Sequence, residues 1–328
     1  MAEIESVLSE DLEPTLRGFL TGHSQTPLAY VRWEHPAPKG RVVLSHGYGE
    51  HSERYRHTAK WLHDLGWSVS AMDHRGFGRS GGRRGDASGI RAFVEDLALF
   101  LRHERHHDRE LTNAGPRIVA GLPVSPLPVC PQVLLGHSFG GLVAVLDLLW
   151  HVDTLDGLIL TSPAVALRPM SPLVKILIRF LLLVAPHKTM NLHNDKQQVC
   201  SDPKWVQAYL DDPLCHRQVS AAFAAALQQG REEILPFGHE LDRPILLLEA
   251  GNDTVTDPDG AEELWDAVSP GLLERHRLEG FKHEILHDLR RVEAQAIAEA
   301  WLSRLLDQWL GNPNAFAAMF VKETKEPQ

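Results

Sequence analysis

The stretch Val133-Leu134-Leu135-Gly136-His137-Ser138-Phe139-Gly140-Gly141-Leu142 decides the fold of this chain. An apolar run leads into a G-x-S-x-G pattern, and a second apolar run with helix-like composition follows it. A serine held on a sharp turn between a strand and a helix needs small neighbours, because the backbone passes close by on both sides. The stretch therefore predicts a strand, a tight turn that carries Ser138, and a helix whose N-terminus favours negative charge. A glycine-rich turn that merely enters a helix is the alternative.

Short apolar runs alternate with longer helical patterns on both sides of this turn. The predicted strands are residues 42–44, 69–72, 132–135, 158–160 and 245–248, and the predicted helices are residues 55–65, 90–107, 140–151, 261–267 and 290–310. Such alternation predicts an α/β fold with a mostly parallel central sheet flanked by helices. Residues 15–20 and 28–33, separated by turn-prone residues, predict an antiparallel hairpin at the sheet edge.

Two segments interrupt the alternation. More than eighty residues after Leu160 lack a clear strand, which predicts a helical cap at 164–243. The cap is inserted between two parts of the core, residues 1–163 and 244–310, and a C-terminal tail follows at 311–328. The second interruption is the segment Thr112–Pro131, whose five prolines and low charge predict an extended surface loop.

Composition excludes several functional classes. The 328 residues carry a net charge of −10 with no basic run, so nucleic acid is not an expected partner. The three cysteines match neither a disulfide framework nor a zinc pattern, and no metal or organic cofactor is expected. The acidic N-terminus is not a secretory signal, and the most apolar segment, Ile176–Pro186, is shorter than a membrane span. We therefore expect a cytoplasmic protein.

Asp253 is the candidate acid for a catalytic triad. A serine hydroxyl is a poor nucleophile at neutral pH unless a base accepts its proton and an acid orients that base. Asp253 follows the strand predicted at 245–248 and lies on the loop where such an acid belongs, in the serine, acid, histidine order of α/β-hydrolases. Asp257 and Asp259 follow on the same loop and are interpreted as solvated carboxylates.

His283 is the candidate base. It follows the glycine of Gly280-Phe281-Lys282 and precedes the predicted C-terminal helix. The chain has nineteen histidines, so most of them must have other roles, and His287 competes for this one. Since His287 lies one helical turn further on, we expect it to pack or to cap a helix instead.

The loop His46-Gly47-Tyr48-Gly49 follows the strand predicted at 42–44 and faces the same sheet edge as Ser138. Its glycines allow backbone amides to approach a ligand. The amides of Tyr48 and Phe139 are therefore the candidates for an oxyanion hole. A plain glycine-rich turn is the alternative.

Several motifs together resemble the monoacylglycerol lipase and lysophospholipase branch of the α/β-hydrolase superfamily. The resemblance implies an α/β-hydrolase fold and a serine hydrolase that cleaves esters with one long acyl chain through an acyl-enzyme. It also implies Ser138 as nucleophile, Asp253 as orienting acid, His283 as base, and the amides of Tyr48 and Phe139 as oxyanion donors. The motifs that carry it are His46–Tyr55, Asp73–Ser80, Gly136–Gly141, Gly251–Asp253 and His283–His287.

The scaffold around this loop and the cap add two expectations. Glu50, His51, Arg54 and Asp73 are interpreted as scaffold residues that hold the oxyanion loop and the turn Asp73–Ser80. Generic surface ion pairs are the alternative. Within the segment Pro172–Pro186, the basic residues share one helix face and apolar residues cover the rest, which is one form of interfacial anchor. A single-acyl lipid or ester is the expected partner, with peripheral membrane contact through the cap. A cap helix packed on the main domain is the alternative.

Other functions fit the same motifs. A short-chain carboxylesterase or an N-terminal peptidase would use the same triad, so only the shape of the pocket separates them. A ligand-binding protein without turnover is a further alternative. Epoxide hydrolases and dehalogenases fit less well, since they need a carboxylate at the position of Ser138.

Overall fold

A computed structural model describes residues 11–113, 117–119, 122–124, 130–151, 155–191 and 196–311. Within these residues the strands are β1 (Leu16–Thr21), β2 (Pro27–Trp33), β3 (Arg41–Ser45), β4 (Ser68–Met72), β5 (Arg117–Val119), β6 (Leu122–Val124), β7 (Gln132–His137), β8 (Gly157–Thr161), β9 (Thr189–Asn191), β10 (Gln218–Ser220), β11 (Ile245–Ala250) and β12 (Leu273–Leu278). Eight strands form the central sheet, in the order β1-β2-β4-β3-β7-β8-β11-β12. All pairs from β4 to β12 are parallel, and β1 and β2 add the predicted antiparallel hairpin. The predicted fold class is confirmed.

Helices cover both faces of this sheet. They are α1 (Arg56–Asp64), α2 (Arg91–Asn113), α3 (Phe139–Trp150), α4 (Pro172–Val184), α5 (Lys196–Val199), α6 (Pro203–Asp211), α7 (Ala221–Ile234), α8 (Glu262–Asp266) and α9 (Arg291–Gly311). One buried cluster joins α2 and α3 to the sheet through residues such as Phe93 and Leu142. A second cluster joins α1 and α9 to the other face through Leu62 and Trp301. The central strands β3, β7, β8 and β11 contain nearly continuous apolar runs, as burial on both faces requires.

The parallel arrangement brings the ends of the strands to one edge of the sheet. The loops after β3, β4, β7, β8 and β11 all leave from this edge, because neighbouring parallel strands run in the same direction. In open α/β sheets, ligands bind at this carboxyl edge. Ser138 follows β7 and Asp253 follows β11, so the topology places both candidate residues on the same side.

The segment predicted as a cap contains the helices α4 to α7. It also contains β9 and β10, which pair antiparallel over three residues each and were not predicted. Such short strands carry little sequence signal, since each depends on a partner far along the chain. The division of the chain at residues 163 and 243 stays a prediction.

The proline-rich segment differs in part from the predicted loop. Strands β5 and β6 form a short antiparallel ladder in which Ile118 pairs with Pro123. Proline fits there because a two-stranded ladder leaves half of its backbone groups outside the pairing. Most of the remaining residues of 112–131 lie outside the described residues, as does the predicted tail after Gly311.

Candidate active site

Ser138 occupies a strained turn between β7 and α3. Its backbone has φ 50° and ψ −115°, in the positive-φ region that side chains rarely adopt. The neighbouring glycines make this turn possible. A Cβ atom on Gly140 would lie 2.1 Å from the carbonyl oxygen of Ser45, and a Cβ atom on Gly136 would lie 2.8 Å from the Cα atom of Gly141. Both distances are too short for any residue but glycine. The predicted strand, turn and helix are present, and the turn projects Ser138 from the N-terminus of α3.

The side chains of Ser138, His283 and Asp253 form one hydrogen-bonded line. His283 Nε2 lies 2.8 Å from Ser138 Oγ, and His283 Nδ1 lies 2.8 Å from Asp253 Oδ2. All three residues are buried. Because the carboxylate can only accept, Nδ1 carries the proton and Nε2 is left to accept the serine hydroxyl proton. The geometry is that of a nucleophile, a base and an orienting acid.

Asp253 is held as an ionised acceptor. Its Oδ1 accepts hydrogen bonds from the backbone N–H groups of Val255 and Thr256, and its Oδ2 accepts one from Thr256 Oγ1 at 2.6 Å. Burial acts to raise the pKa of this carboxyl, but His283 and these donors outweigh burial and hold the pKa below its usual range. Asp253 therefore stays charged wherever the protein is folded at moderate pH.

The competing residues of the sequence have other partners. Asp257 pairs with Arg168 at 3.5 Å, and Asp259 is exposed and pairs with Arg277 at 2.6 Å. His287 is buried, and its Nε2 lies 3.3 Å from the carbonyl oxygen of Arg54. None of these three contacts reaches Ser138, so the structure separates the triad candidates from their neighbours.

Glu50 fixes the loop that follows β3. One carboxylate oxygen accepts from the Gly47 backbone N–H at 2.7 Å and from the Tyr55 hydroxyl at 2.6 Å, and the other accepts from Arg54. Burial acts to raise the pKa of Glu50, but the Arg54 guanidinium outweighs it, and the pKa lies well below its usual value. Arg54 also bonds Glu284 at 3.3 Å. The scaffold expectation for Glu50 and Arg54 agrees with these contacts.

The other two scaffold candidates act at different places. Asp73 accepts hydrogen bonds from the Ser52 backbone and hydroxyl and from the Arg79 backbone N–H, which joins the loop after β4 to the loop after β3. His51 instead contacts the cap segment, since its Nε2 lies 2.7 Å from Asp212 Oδ2. The loop after β3 is thus tied both to the sheet and to the segment predicted as a cap.

The backbone amides of Tyr48 and Phe139 are available as donors. In the part of the chain that the structure describes, neither N–H donates a hydrogen bond to a protein acceptor. The amide of Phe139 is at the N-terminus of α3, where the first N–H groups of a helix lack partners within the helix. Two unsatisfied donors near the candidate nucleophile Ser138 are what an oxyanion hole would require.

The cavity at Ser138 is small. It has a volume of about 80 Å³ and is lined by Tyr48, His137, Tyr209 and the triad histidine, among others. Binding sites for small molecules usually measure about 300–1,000 Å³. A larger cavity of about 610 Å³ adjoins it across Val199 and Val255. A substrate longer than a few atoms must therefore extend into a neighbouring cavity or displace the cap segment.

Buried histidines near the site make stability depend on pH. Burial, with His283 as a further cause, lowers the pKa of His137 to about 4. Burial, with Arg54 as a further cause, lowers the pKa of His287 to about 4. Between about pH 6.5 and 4 the unfolded chain binds protons at these residues and the folded chain does not, so the free energy of unfolding falls as the pH falls.

We expect the two histidines together to contribute up to about 2.7 kcal/mol per pH unit across that window. Urea denaturation at several pH values between 7 and 4.5 measures the slope. His287→Gln should reduce the slope by up to about 1.4 kcal/mol per pH unit, the contribution of one histidine. A free energy of unfolding that stays constant from pH 6.5 to 4.5 would contradict the expectation.

Sequence reasoning missed Thr256, which holds the carboxylate of Asp253 through its hydroxyl and its backbone N–H. A hydroxyl residue three positions after an aspartate on a loop is a signal that could have found it, since such side chains bond locally. It also missed Val199, Tyr209 and Arg217, three residues of the segment predicted as a cap, which line the cavity at Ser138. No sequence pattern marks these residues, because only the tertiary structure brings them to the site.

Comparison with known proteins agrees with this architecture. The family model described as "Serine aminopeptidase, S33" matches residues 36–290. A monoacylglycerol lipase from Mycolicibacterium smegmatis is 30% identical over 253 residues, which cover 76% of this chain and 83% of that relative. A human monoglyceride lipase is 30% identical over 272 residues, covering 81% of this chain and 83% of the relative.

Solved structures of similar proteins have the same fold. The crystal structure of a monoacylglycerol lipase from Paleococcus ferrophilus has a TM-score of 0.68 at 26% identity and covers 85% of this chain and 98% of that one. A soluble variant of monoglyceride lipase from Saccharomyces cerevisiae, solved with a substrate analogue, has a TM-score of 0.76 at 18% identity and covers 90% of this chain and 96% of that one. With a family model matched over residues 36–290 and relatives 30% identical over most of its length, the chain belongs to the serine aminopeptidase S33 family of the α/β-hydrolase superfamily, on the branch that includes the monoacylglycerol lipases.

Proposed function

We propose that this protein is a serine ester hydrolase that cleaves single-acyl lipids, monoacylglycerols or lysophospholipids, through an acyl-enzyme on Ser138. The observation that carries the proposal is the hydrogen-bonded line from Ser138 Oγ through His283 to Asp253, with both distances at 2.8 Å. The similarity to relatives named monoacylglycerol lipase supports the substrate class.

In the proposed mechanism, Ser138 Oγ attacks the ester carbonyl while His283 Nε2 takes the hydroxyl proton. The carbonyl oxygen becomes an anion and accepts hydrogen bonds from the amides of Tyr48 and Phe139. When the tetrahedral intermediate collapses, the protonated His283 gives its proton to the departing alcohol oxygen, and the acyl group stays on Ser138. Water, deprotonated by the same histidine, then releases the fatty acid and restores the serine.

The test is the release of fatty acid from 1-monoacylglycerols and from lysophosphatidylcholine of graded chain length. Rates that rise with chain length to a long-chain optimum are expected. Activity confined to acetyl and butyryl esters would overturn the lipid assignment in favour of a short-chain carboxylesterase. No product from any ester would overturn the hydrolase proposal in favour of ligand binding.

The family description favours a second candidate, an aminopeptidase. Such an enzyme needs a carboxylate to bind the positively charged amino terminus of its substrate. Among the described residues, the acidic side chains that line the cavity at Ser138 are those of Glu50 and Glu284, and both are bound to Arg54. This neutralisation favours an uncharged ester over an amino terminus. Aminoacyl 4-nitroanilides are the test substrates. If the protein hydrolyses them faster than it hydrolyses monoacylglycerols, the aminopeptidase replaces the ester hydrolase as the proposed function.

Helix α4 supports peripheral contact with a lipid surface. Ser171 caps its N-terminus, and Pro172 occupies the first turn. None of its residues is buried, although most are apolar. Leu173 and Leu183 are 79% and 85% exposed. Lys175 and Arg179 provide positive charge on the same helix. An apolar helix with basic residues binds at the boundary between lipid head groups and acyl chains.

Among the described residues, the structure contains no helix that is long and apolar enough to span a bilayer.

Replacing both exposed leucines, Leu173→Ser with Leu183→Ser, should reduce binding to phospholipid vesicles by at least about tenfold, because a buried leucine contributes about 1.5–3 kcal/mol. Vesicle co-sedimentation measures the binding. The rate at which the double variant hydrolyses a water-soluble short-chain ester should stay within about twofold of the wild-type rate, since neither leucine lines the cavity at Ser138. The matched control is Leu289→Ser, another exposed leucine that lies before α9. Equal vesicle binding by wild type and the double variant would contradict this role of α4.

A further inference from the structure

The cavity of about 610 Å³ beside the catalytic cavity is lined by three basic side chains, Arg168, Lys175 and Arg231. We call this cavity the basic vestibule. Among the described residues that line it there is no aspartate or glutamate, and the polar lining is completed by Gln198, Gln228 and Thr254. This concentration of positive charge contrasts with the chain as a whole, whose net charge is −10.

Two of the three cations have no carboxylate partner. Arg168 pairs with Asp257 at 3.5 Å, at the longer end of the ion-pair range. Among the described residues, neither Lys175 nor Arg231 takes part in an ion pair. The guanidinium of Arg231 is held by neutral acceptors, the Val165 carbonyl oxygen at 3.2 Å and Gln228 Oε1 at 2.9 Å.

The position of Arg231 makes this charge costly without an anion. The residue is only partly exposed, and burial lowers the pKa of its guanidinium, with Glu232 acting in the opposite direction. A partly buried cation that lacks a carboxylate loses hydration and gains little in return. An anion bound in the vestibule would give the Arg231 guanidinium the charged partner that it lacks. Guanidinium groups bind phosphate through two parallel hydrogen bonds, and the ammonium of Lys175 would add a point charge.

The vestibule lies next to the reacting groups. Val199 and Val255 line both this cavity and the cavity that contains Ser138. The loop that forms part of the vestibule wall is the one that holds Asp253, since the Val255 backbone N–H donates to Asp253 Oδ1 at 2.7 Å. A ligand with its ester carbonyl at Ser138 can therefore place a group a few bonds away into the vestibule.

We propose that the basic vestibule binds the phosphate of an anionic single-acyl lipid while its ester carbonyl lies at Ser138. This inference rests on the proposed ester hydrolase function and adds a selection among its substrates. It predicts preference for a lipid with a phosphate on its alcohol side over the neutral lipid with the same acyl chain.

The matched probes are 1-octanoylglycerol and 1-octanoylglycerol 3-phosphate, which differ only in the phosphate and are used as monomers. We expect wild type to have the higher kcat/KM for the phosphate ester. Arg231→Gln and Lys175→Gln should each lower kcat/KM for that ester by about 10- to 100-fold, the range for a hydrogen bond to a charged group. In both variants the loss for the neutral ester should be at least about tenfold smaller than the loss for the phosphate ester, since only the phosphate carries a negative charge. Arg231→Lys, which keeps the charge, should recover part of the loss.

Lys204→Gln is the matched control, because Lys204 is exposed on α6 and does not line the vestibule. An equal loss of kcat/KM in Lys204→Gln would show that the overall positive charge of this segment attracts the phosphate. It would overturn the proposed binding site. Arg168 is left intact, since it contacts the Asp253 carbonyl oxygen at 3.3 Å and its replacement would disturb the triad.

Binding to the inactive Ser138→Ala protein, measured by calorimetry, gives a readout that does not depend on turnover. The 1-octanoylglycerol 3-phosphate should bind at least about tenfold more tightly than 1-octanoylglycerol, and Arg231→Gln should remove the difference. Inorganic phosphate bound as tightly as the lipid would show a site for free phosphate and overturn the head-group assignment. If wild type cleaves the neutral ester but shows no preference for the phosphate ester, the vestibule proposal fails and the hydrolase proposal stands. If it cleaves neither, the hydrolase proposal fails.

Discussion

Ser138→Ala is expected to abolish ester hydrolysis, with a loss of roughly 10⁶-fold in kcat, the effect of removing the nucleophile of a serine hydrolase. The reason is chemical, because no other hydroxyl is hydrogen-bonded to His283 Nε2 among the described residues. The fold should persist, since alanine keeps the backbone of the turn and the glycines that allow it. Steady-state release of fatty acid from 1-monooleoylglycerol measures the loss, and labelling by a fluorophosphonate should disappear with it.

Ser162→Ala is the matched control for this variant. Ser162 is also a buried serine with positive φ, at 43°, and it follows the neighbouring strand β8. Its Oγ has no hydrogen-bond partner among the described residues. Removal of the Ser162 hydroxyl should leave kcat within about threefold of wild type. The comparison therefore distinguishes the effect of altering a buried serine with positive φ from the loss of the nucleophile. A Ser138→Ala protein that keeps more than a hundredth of wild-type activity would remove Ser138 from the proposed mechanism.

The sequence predicts the core of the fold because local and global signals agree there. Around Ser138 the apolar strand, the glycine turn and the helix all follow from residues within ten positions of one another. The strands β8 and β11 after it contain continuous apolar runs, as a parallel sheet covered on both faces requires. The cap strands β9 and β10 escape prediction because each has three residues and is stabilised by a partner 27 or more positions away.

The triad candidates could be named from sequence because Ser138 and Asp253 each follow a predicted strand at the same sheet edge, and His283 lies on the loop before the predicted C-terminal helix. The residues around the triad could be predicted only in part. Glu50 and Arg54 could be interpreted as scaffold residues, and their contacts agree with that. Thr256 was missed, although its position three residues after Asp253 is a weak local signal. The basic vestibule carries no sequence signal, because Arg168 and Arg231 are 63 positions apart and line one cavity only in the folded chain.

Asp253→Asn is expected to lower kcat by about 10⁴-fold, close to the loss caused when the orienting acid of a serine protease becomes an amide. Both carboxylate oxygens of Asp253 accept hydrogen bonds, so an amide NH₂ group has an unfavourable neighbour in either orientation. At Oδ1 it would face the N–H groups of Val255 and Thr256. At Oδ2 it would face His283 Nδ1 and the Thr256 hydroxyl, and the hydroxyl can rotate to accept.

The orientation that places the NH₂ group at the Oδ2 position therefore costs less, and it changes which nitrogen of His283 carries the proton. An NH₂ group that donates to His283 Nδ1 stabilises the tautomer with its proton on Nε2, and that nitrogen can no longer accept the proton of Ser138. The loss should appear in kcat with little change in Tm. Asp259→Asn, at an exposed carboxylate six positions further along the loop, should stay near wild type. If Asp253→Asn retains a tenth of wild-type activity, Asp253 does not orient His283, because the wrong tautomer cannot support turnover at that rate.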